Sequence, residues 1–158
     1  MSIVIANRQR TRAINARQLQ AITRGLFAEL KIEGELGINL VDAREMTRVN
    51  ETFLQHEGST DVITFDHAER VTGAASPALH GELFVCVDEA ILQARRFRTT
   101  WQSEVVRYVV HGVLHLLGHD DHRADRRRKM KREENRLVRR LGRKFSLAQT
   151  GARSKLIP

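Results

Sequence analysis

Residues 111–122 contain the most informative pattern of the sequence, which reads His111-Gly-Val-Leu-His115-Leu-Leu-Gly118-His119-Asp120-Asp121-His122. Two histidines four residues apart lie on nearly the same face of a helix, because four residues are slightly more than one turn. The apolar residues between them predict that the opposite face packs against a core. Gly118 predicts the end of the helix, since glycine accepts the left-handed conformation found there. The pattern therefore predicts a central helix that brings two imidazoles to one point.

The same stretch predicts a catalytic metal site. His111 and His115 have the spacing that two ligands of one zinc ion need, and the chain can return after the helix to offer His122 as the third ligand. Three protein ligands leave one position for water, which is typical of a catalytic zinc site. In the HExxH motif the residue after the first histidine is the glutamate base, but here it is Gly112. The catalytic base is therefore unknown, and an ordinary peptidase is disfavoured.

Length and composition indicate one globular domain, predicted over residues 1–144, followed by a loosely ordered tail over 145–158. Of the 158 residues, 41% are hydrophobic, yet the sequence contains neither a membrane-spanning apolar run nor a signal-peptide pattern. The single cysteine, Cys86, excludes an internal disulfide and is predicted to be a small buried side chain. These features predict a cytoplasmic protein with no membrane association.

The basic charge is concentrated near the carboxyl end. The net charge is +8, and residues 123–144 contain twelve arginines or lysines against three acids. Such a strip attracts polyanions, and a phosphate backbone is the obvious candidate. The alternative for any one of these residues is a solvated helix face, and Arg107 can instead pair with Glu104. The candidate contacts with nucleic acid are Arg107, Arg126, Arg127 and Arg128.

The remaining sequence predicts an α+β fold in which helices cover one small four-stranded sheet. The predicted strands are residues 2–6, 36–41, 61–65 and 81–87. The predicted helices are residues 16–31, 43–53, 89–98, 100–117 and 124–141. The first three helices are expected to be capped by Asn15, Asp42 and Asp88. A loop is expected over residues 66–80.

Three segments carry a resemblance to a known family. They read His111-Gly-Val-Leu-His-Leu-Leu-Gly118, Ser59-Thr-Asp-Val-Ile-Thr-Phe65 and Gly81-Glu-Leu-Phe-Val-Cys86. In sequence, order and spacing they resemble the YbeY family of bacterial rRNA-maturation endoribonucleases, over about residues 1–142. The resemblance implies a mixed sheet and one zinc ion held by three histidines. It also implies cleavage of single-stranded RNA, 16S rRNA 3′-end maturation and ribosome quality control, with rRNA and the small ribosomal subunit as partners.

The chain departs from the family pattern at two positions. The family's third histidine falls at Asp121, one residue before His122. Either His122 is the ligand, or Asp121 or His119 takes its place, since zinc accepts both nitrogen and carboxylate oxygen. The loop acids that do not bind the metal can orient a ligand imidazole. The second departure is Leu54, where the family usually has an arginine implicated in activity; either a nearby cation such as Arg48 substitutes, or nuclease activity is weak or absent.

Two other functions compete with the nuclease. A ribosome-assembly protein that binds RNA can use the zinc only to stabilise its fold, and it would show RNA affinity without cleavage. A zinc peptidase is disfavoured by Gly112 and by the basic surface. Imidazole ligands also accept cobalt, nickel or iron, so the sequence predicts a metal site more firmly than it predicts which metal fills it.

Overall fold

A computed structural model of the chain describes residues 1–68 and 78–150. The strands are β1 (Ser2–Asn7), β2 (Gly34–Val41), β3 (Val62–Asp66) and β4 (Leu79–Cys86). The helices are α1 (Ala16–Leu30), α2 (Ala43–Val49), α3 (Val87–Phe97), α4 (Trp101–Leu116) and α5 (Ala124–Lys144). A π-helical turn over Asn50–Leu54 extends α2, and a 3₁₀ turn covers Leu147–Thr150.

The four strands form one mixed sheet in the order β1-β2-β4-β3. The pairs β1–β2 and β2–β4 are parallel, and β3 runs antiparallel to β4. Helix α1 forms the crossover between β1 and β2, and the chain from β2 to β4 passes through α2 and β3, since parallel neighbours need a long connection. The predicted α+β class, with a mixed four-stranded sheet and five helices, is confirmed.

Helix α4 lies directly on the sheet because two glycines remove side chains from the contact. A Cβ atom on Gly112 of α4 would lie 2.7 Å from the Cδ2 atom of Leu83 on β4. A Cβ atom on Gly81 of β4 would lie 2.6 Å from the Cδ1 atom of Leu116 on α4. Each leucine therefore fills the space left by the other element's glycine. Both Leu83 and the α4 residue Val113 are fully buried, so α4 is anchored on its apolar face.

Two of the three predicted helix caps are confirmed. The Asn15 side chain accepts a hydrogen bond from the Gln18 amide, and the Asp42 side chain accepts one from the Glu45 amide. The prediction of Asp88 as a cap was wrong, because α3 begins at Val87, two residues before its predicted start, and its N-cap is Cys86. The Asp88 carboxylate instead accepts a hydrogen bond of 2.6 Å from the Ala43 amide, which ties the start of α2 to the start of α3.

The segment after α5 continues onto the core. Phe145 and Leu147 are partly buried against the main hydrophobic cluster, which differs from the loosely ordered tail expected from residue 145 onward. Residues 151–158 of that tail, and residues 69–77 of the predicted loop, lie outside the described part of the chain. Cys86 is buried, as predicted. In the described ranges, every helix is too short or too polar to cross a membrane.

Candidate metal centre

The two histidines of α4 turn toward one point. The Nε2 atoms of His111 and His115 are 3.1 Å apart, and the ring planes meet at 75°. Both side chains are 26% exposed, so they form the accessible edge of an otherwise buried helix. Zinc binds imidazole nitrogen at about 2.0–2.1 Å, and a single ion at that distance can contact both atoms.

His111 is held in place by a buried carboxylate on α5. Its Nδ1 atom lies 2.7 Å from Oε1 of Glu134, whose side chain is 3% exposed. Arg107 and Lys131 donate to the other carboxylate oxygen at 2.7 and 2.9 Å. Burial alone would raise the pKa of Glu134, but the hydrogen bonds from His111, Lys131 and Arg107 outweigh it and lower the pKa to about 2. An ionised Glu134 keeps the proton of His111 on Nδ1 and leaves Nε2 available as a ligand.

His115 is oriented by the backbone of the loop that follows α4. Its Nδ1 atom lies 3.1 Å from the carbonyl oxygen of His119. Gly118 makes this contact possible, because its φ of 98° reverses the chain directly after the helix. Burial and the neighbouring His111 lower the pKa of His115. His115 therefore stays neutral, as a metal ligand must be, at lower pH than an ordinary histidine.

The third group near the two imidazoles is Asp121. Its Oδ2 atom lies 3.7 Å from Nε2 of His115 and 4.0 Å from Nε2 of His111. In the described ranges, His111, His115 and Asp121 form a group of side chains that can hold one metal ion. The side chain of His122, the predicted third ligand, is exposed and outside this group. The backbone amide of His122 donates to the Asp120 carboxylate, which belongs to a turn that presents Asp121 to the helix.

The absence of a glutamate at position 112 has a packing reason. Gly112 faces β4, where even a Cβ atom would lie too close to Leu83. A carboxylate base at this position would therefore disrupt the contact between α4 and the sheet. The site cannot work as an HExxH peptidase site does, which agrees with the prediction from sequence.

A cavity of about 780 Å³ opens beside His111, between α3, α4 and α5. Of the four predicted RNA contacts, Arg127 and Arg128 line it without a carboxylate partner among the described residues. Arg107 also lines it, but its guanidinium is bound to Glu134 and Asn135. Arg126 pairs with Asp120 outside the cavity. The Arg107–Glu104 pairing considered from sequence does not form, because Glu104 accepts from Thr99.

Glu134 is the residue that sequence analysis missed. The carboxylate that orients a ligand imidazole was expected in the loop, but it comes from α5, 23 residues after His111. A signal was present: Glu134 lies on the side of α5 that also carries the buried residues Met130, Leu137 and Leu141. A buried carboxylate among apolar residues needs a charged or hydrogen-bonding partner, because its burial otherwise costs free energy.

Comparisons with known proteins decide the family. The family model described as Endoribonuclease YbeY matches residues 4–142. The chain belongs to the YbeY family. A curated Endoribonuclease YbeY of Chlorobium phaeovibrioides is 35% identical over 90% of this chain and 92% of its own length. One of Myxococcus xanthus is 36% identical over 78% of this chain, which spans only 42% of that longer relative.

A solved structure supports the fold of this YbeY-family chain. The solution structure of a Thermotoga maritima protein has a TM-score of 0.65 and 23% identity, with 99% of both chains covered. The family consists of endoribonucleases, which are hydrolases that act on RNA. The family resemblance noted from three short segments is thereby confirmed over nearly the whole chain.

Proposed function

We propose that this protein is a zinc-dependent endoribonuclease that cleaves single-stranded RNA in the maturation of the 16S rRNA 3′ end and in ribosome quality control. One observation supports this proposal most strongly. Two imidazoles of α4 and the Asp121 carboxylate converge beside a large cavity that is lined in part by arginines. The proposal places the protein in the cytoplasm, with rRNA and the small ribosomal subunit as its partners.

The ligand set proposed for zinc is His111, His115 and Asp121. Two nitrogens and one carboxylate oxygen are donors that zinc binds in catalytic sites. Bound there, zinc would supply Lewis-acid chemistry to a phosphodiester group. The protein contributes the fixed orientation of both imidazoles, through Glu134 and the His119 carbonyl. His122 lies outside this group, so its side chain would have to move toward the two imidazoles to become a ligand.

A second candidate function rests on Leu54. Its side chain is 40% exposed, at the position where the family resemblance implies an arginine. The cations that line the cavity come instead from α4 and α5, and Arg48 is not among them. If these cations do not replace the missing arginine, the protein is an RNA-binding assembly factor whose zinc is structural.

The test is cleavage of a single-stranded RNA that spans a 16S 3′ precursor end. The zinc-loaded protein is expected to cut it, and His115→Ala and chelator-treated protein are expected to leave it intact. A 2′,3′-cyclic phosphate on the product would identify the ribose 2′-hydroxyl as nucleophile, whereas a 5′-phosphate with a 3′-hydroxyl would identify water. Zinc-loaded protein that binds this RNA without cutting it would instead establish the assembly factor.

A further inference from the structure

The end of α3 combines an exposed aromatic ring with a cluster of cations. Residues 95–98 read Arg-Arg-Phe-Arg, and all four side chains are exposed. The helix dipole favours basic residues at the carboxyl end of a helix, which accounts for the arginines on structural grounds alone. It does not account for the ring between them, so the position of Phe97 relative to the metal centre decides whether this segment has a function.

Phe97 places the end of α3 beside the candidate metal centre. It is 62% exposed, and its side chain lines the same cavity as His111. Gln93, one turn earlier on α3, also lines this cavity, so one face of the end of the helix is directed toward the metal group. A ligand that enters the cavity at His111 can therefore contact the Phe97 ring.

The arginines around Phe97 are available to an anionic ligand. No ion pair within the described ranges includes Arg95, Arg96 or Arg98. By contrast, Arg136 and Arg140 of α5 are each bound to a glutamate. A guanidinium without a carboxylate partner can bind phosphate through charge-assisted hydrogen bonds and gives up no ion pair when it does so.

Arg96 lies against the Phe97 ring. Its guanidinium carbon is 5.5 Å from the ring centroid, a distance at which a cation and an aromatic face attract each other. Much of the ring nevertheless remains exposed. Sites for single-stranded nucleic acid combine aromatic rings, on which bases stack, with cations that follow the backbone. A nucleotide whose base stacked on Phe97 would have its phosphate within reach of Arg96.

We propose that the end of α3 is a second RNA contact, on a different wall of the cavity from α5. Phe97 stacks on one base of the single strand, and Arg96 binds the phosphate next to that base. This inference rests on the RNA substrate proposed above and adds a contact that positions the strand at the metal centre. Because every base has a face that can stack on the ring, the contact is expected to hold RNA without selecting its sequence.

The stacking contact is tested with Phe97→Ala and Phe97→Trp. Zinc-loaded proteins are titrated with fluorescent 12-mers of 2′-O-methyl RNA, one of uridine and one of adenosine, and gels check that the oligonucleotides stay intact. Loss of the ring predicts affinity lowered about fivefold or more for both oligonucleotides in Phe97→Ala, whereas Phe97→Trp is expected to keep it. Leu92→Ala is the matched control, because Leu92 lies on the same helix, is 56% exposed and does not line the cavity.

The phosphate contact is tested with Arg96→Gln and the same oligonucleotides at several salt concentrations. Loss of one phosphate contact on a single strand is expected to reduce the slope of log affinity against log salt by about 0.7. Arg24→Gln makes the same change of charge at an exposed arginine of α1 that does not line the cavity. This control is expected to keep the wild-type slope.

The outcomes separate this contact from the proposed function. Wild-type affinity in Phe97→Ala, or a wild-type salt slope in Arg96→Gln, would overturn the contact at the end of α3. If the wild type still cleaved RNA, the proposed function would stand without it. A wild type that showed the expected binding effects without cleavage would retain the contact and overturn the nuclease. A wild-type protein that neither bound nor cleaved RNA would overturn both.

Discussion

The two halves of the candidate metal centre are built in different ways. The helix half consists of His111 and His115, which lie on a helix packed against the sheet and are oriented by Glu134 and a backbone carbonyl. The loop half consists of residues 119–122, which have no regular secondary structure. Its ligand candidate, Asp121, is 42% exposed, against 26% for each histidine.

The two halves therefore have different roles in metal binding. Rigid packing and buried hydrogen bonds preorganise the helix half, so metal affinity should depend on it most strongly. The loop half completes the ligand set with whichever side chain the turn presents. A change of residue type from histidine to aspartate is tolerable there, since zinc binds either one.

The largest expected effect is in the helix half. His115→Ala removes one of two fixed ligands and is expected to abolish binding of one zinc per chain, measured by competition with a chromogenic chelator. His56→Ala is the control, because His56 is an exposed histidine outside the metal group. Zinc binding at wild-type affinity in His115→Ala would show that the helix half is not the site.

The loop half gives the next largest effect. Asp121→Ala is expected to lower zinc affinity clearly, His122→Ala to leave it nearly unchanged, and Asp121→His to retain binding. The reason is that the Asp121 carboxylate lies 3.7 Å from Nε2 of His115, whereas the His122 side chain is exposed. Cobalt spectra of the three variants would check the ligand set without any activity assay. If His122→Ala lowered zinc affinity more than Asp121→Ala does, His122 and not Asp121 would be the third metal ligand.

Glu134→Gln tests how much the orientation of His111 contributes to zinc binding, because this change leaves the metal ligands themselves in place. Loss of a group that orients a metal ligand is expected to lower zinc affinity about 10–100-fold, and the weaker hydrogen bonds are expected to lower the free energy of unfolding by about 1.5–3 kcal/mol. Glu133→Gln is the matched control, since Glu133 is the neighbouring acid and pairs with Arg136. Equal zinc affinity in the two variants would remove Glu134 from the metal centre.

Acid unfolding of the metal-free protein checks the same carboxylate. The pKa of Glu134 is lowered from 4.5 to about 2 in the folded protein. The stability that this group contributes is therefore complete above pH 4.5 and is lost as the pH falls toward 2. The wild type is expected to lose stability over this interval faster than Glu134→Gln. If the free energy of unfolding fell equally with pH in the two proteins, the lowered pKa of Glu134 would be contradicted.

The smallest expected effect concerns the basic surface. Arg128→Gln is expected to weaken RNA binding about equally for all sequences, and to reduce the slope of log affinity against log salt by about 0.7, the value for one phosphate contact on a single strand. Arg143→Gln, near the far end of α5, is the control. A salt slope identical to that of the wild type would remove Arg128 from the RNA path.

Sequence predicted the helix half far better than the loop half. The spacing of His111 and His115, with Gly118 after them, determines the face and the end of α4 because helix geometry is periodic. A loop has no such period, so the sequence favoured His122 as the third ligand, whereas the structure groups Asp121 with the two helix histidines. The role of Glu134 depends on how α5 packs against α4, and that long-range contact has no local signal beyond an acid in an apolar stripe.

The most direct test of the metal centre as the nuclease site is a zinc titration of metal-stripped protein during cleavage of single-stranded RNA. Without metal we expect no cleavage. With added zinc we expect a rate that rises and saturates at one ion per chain, and we expect no response in His115→Ala. Cleavage that continues at full rate in the stripped protein, or that is unchanged in His115→Ala, would show that the metal centre on α4 is not the nuclease site.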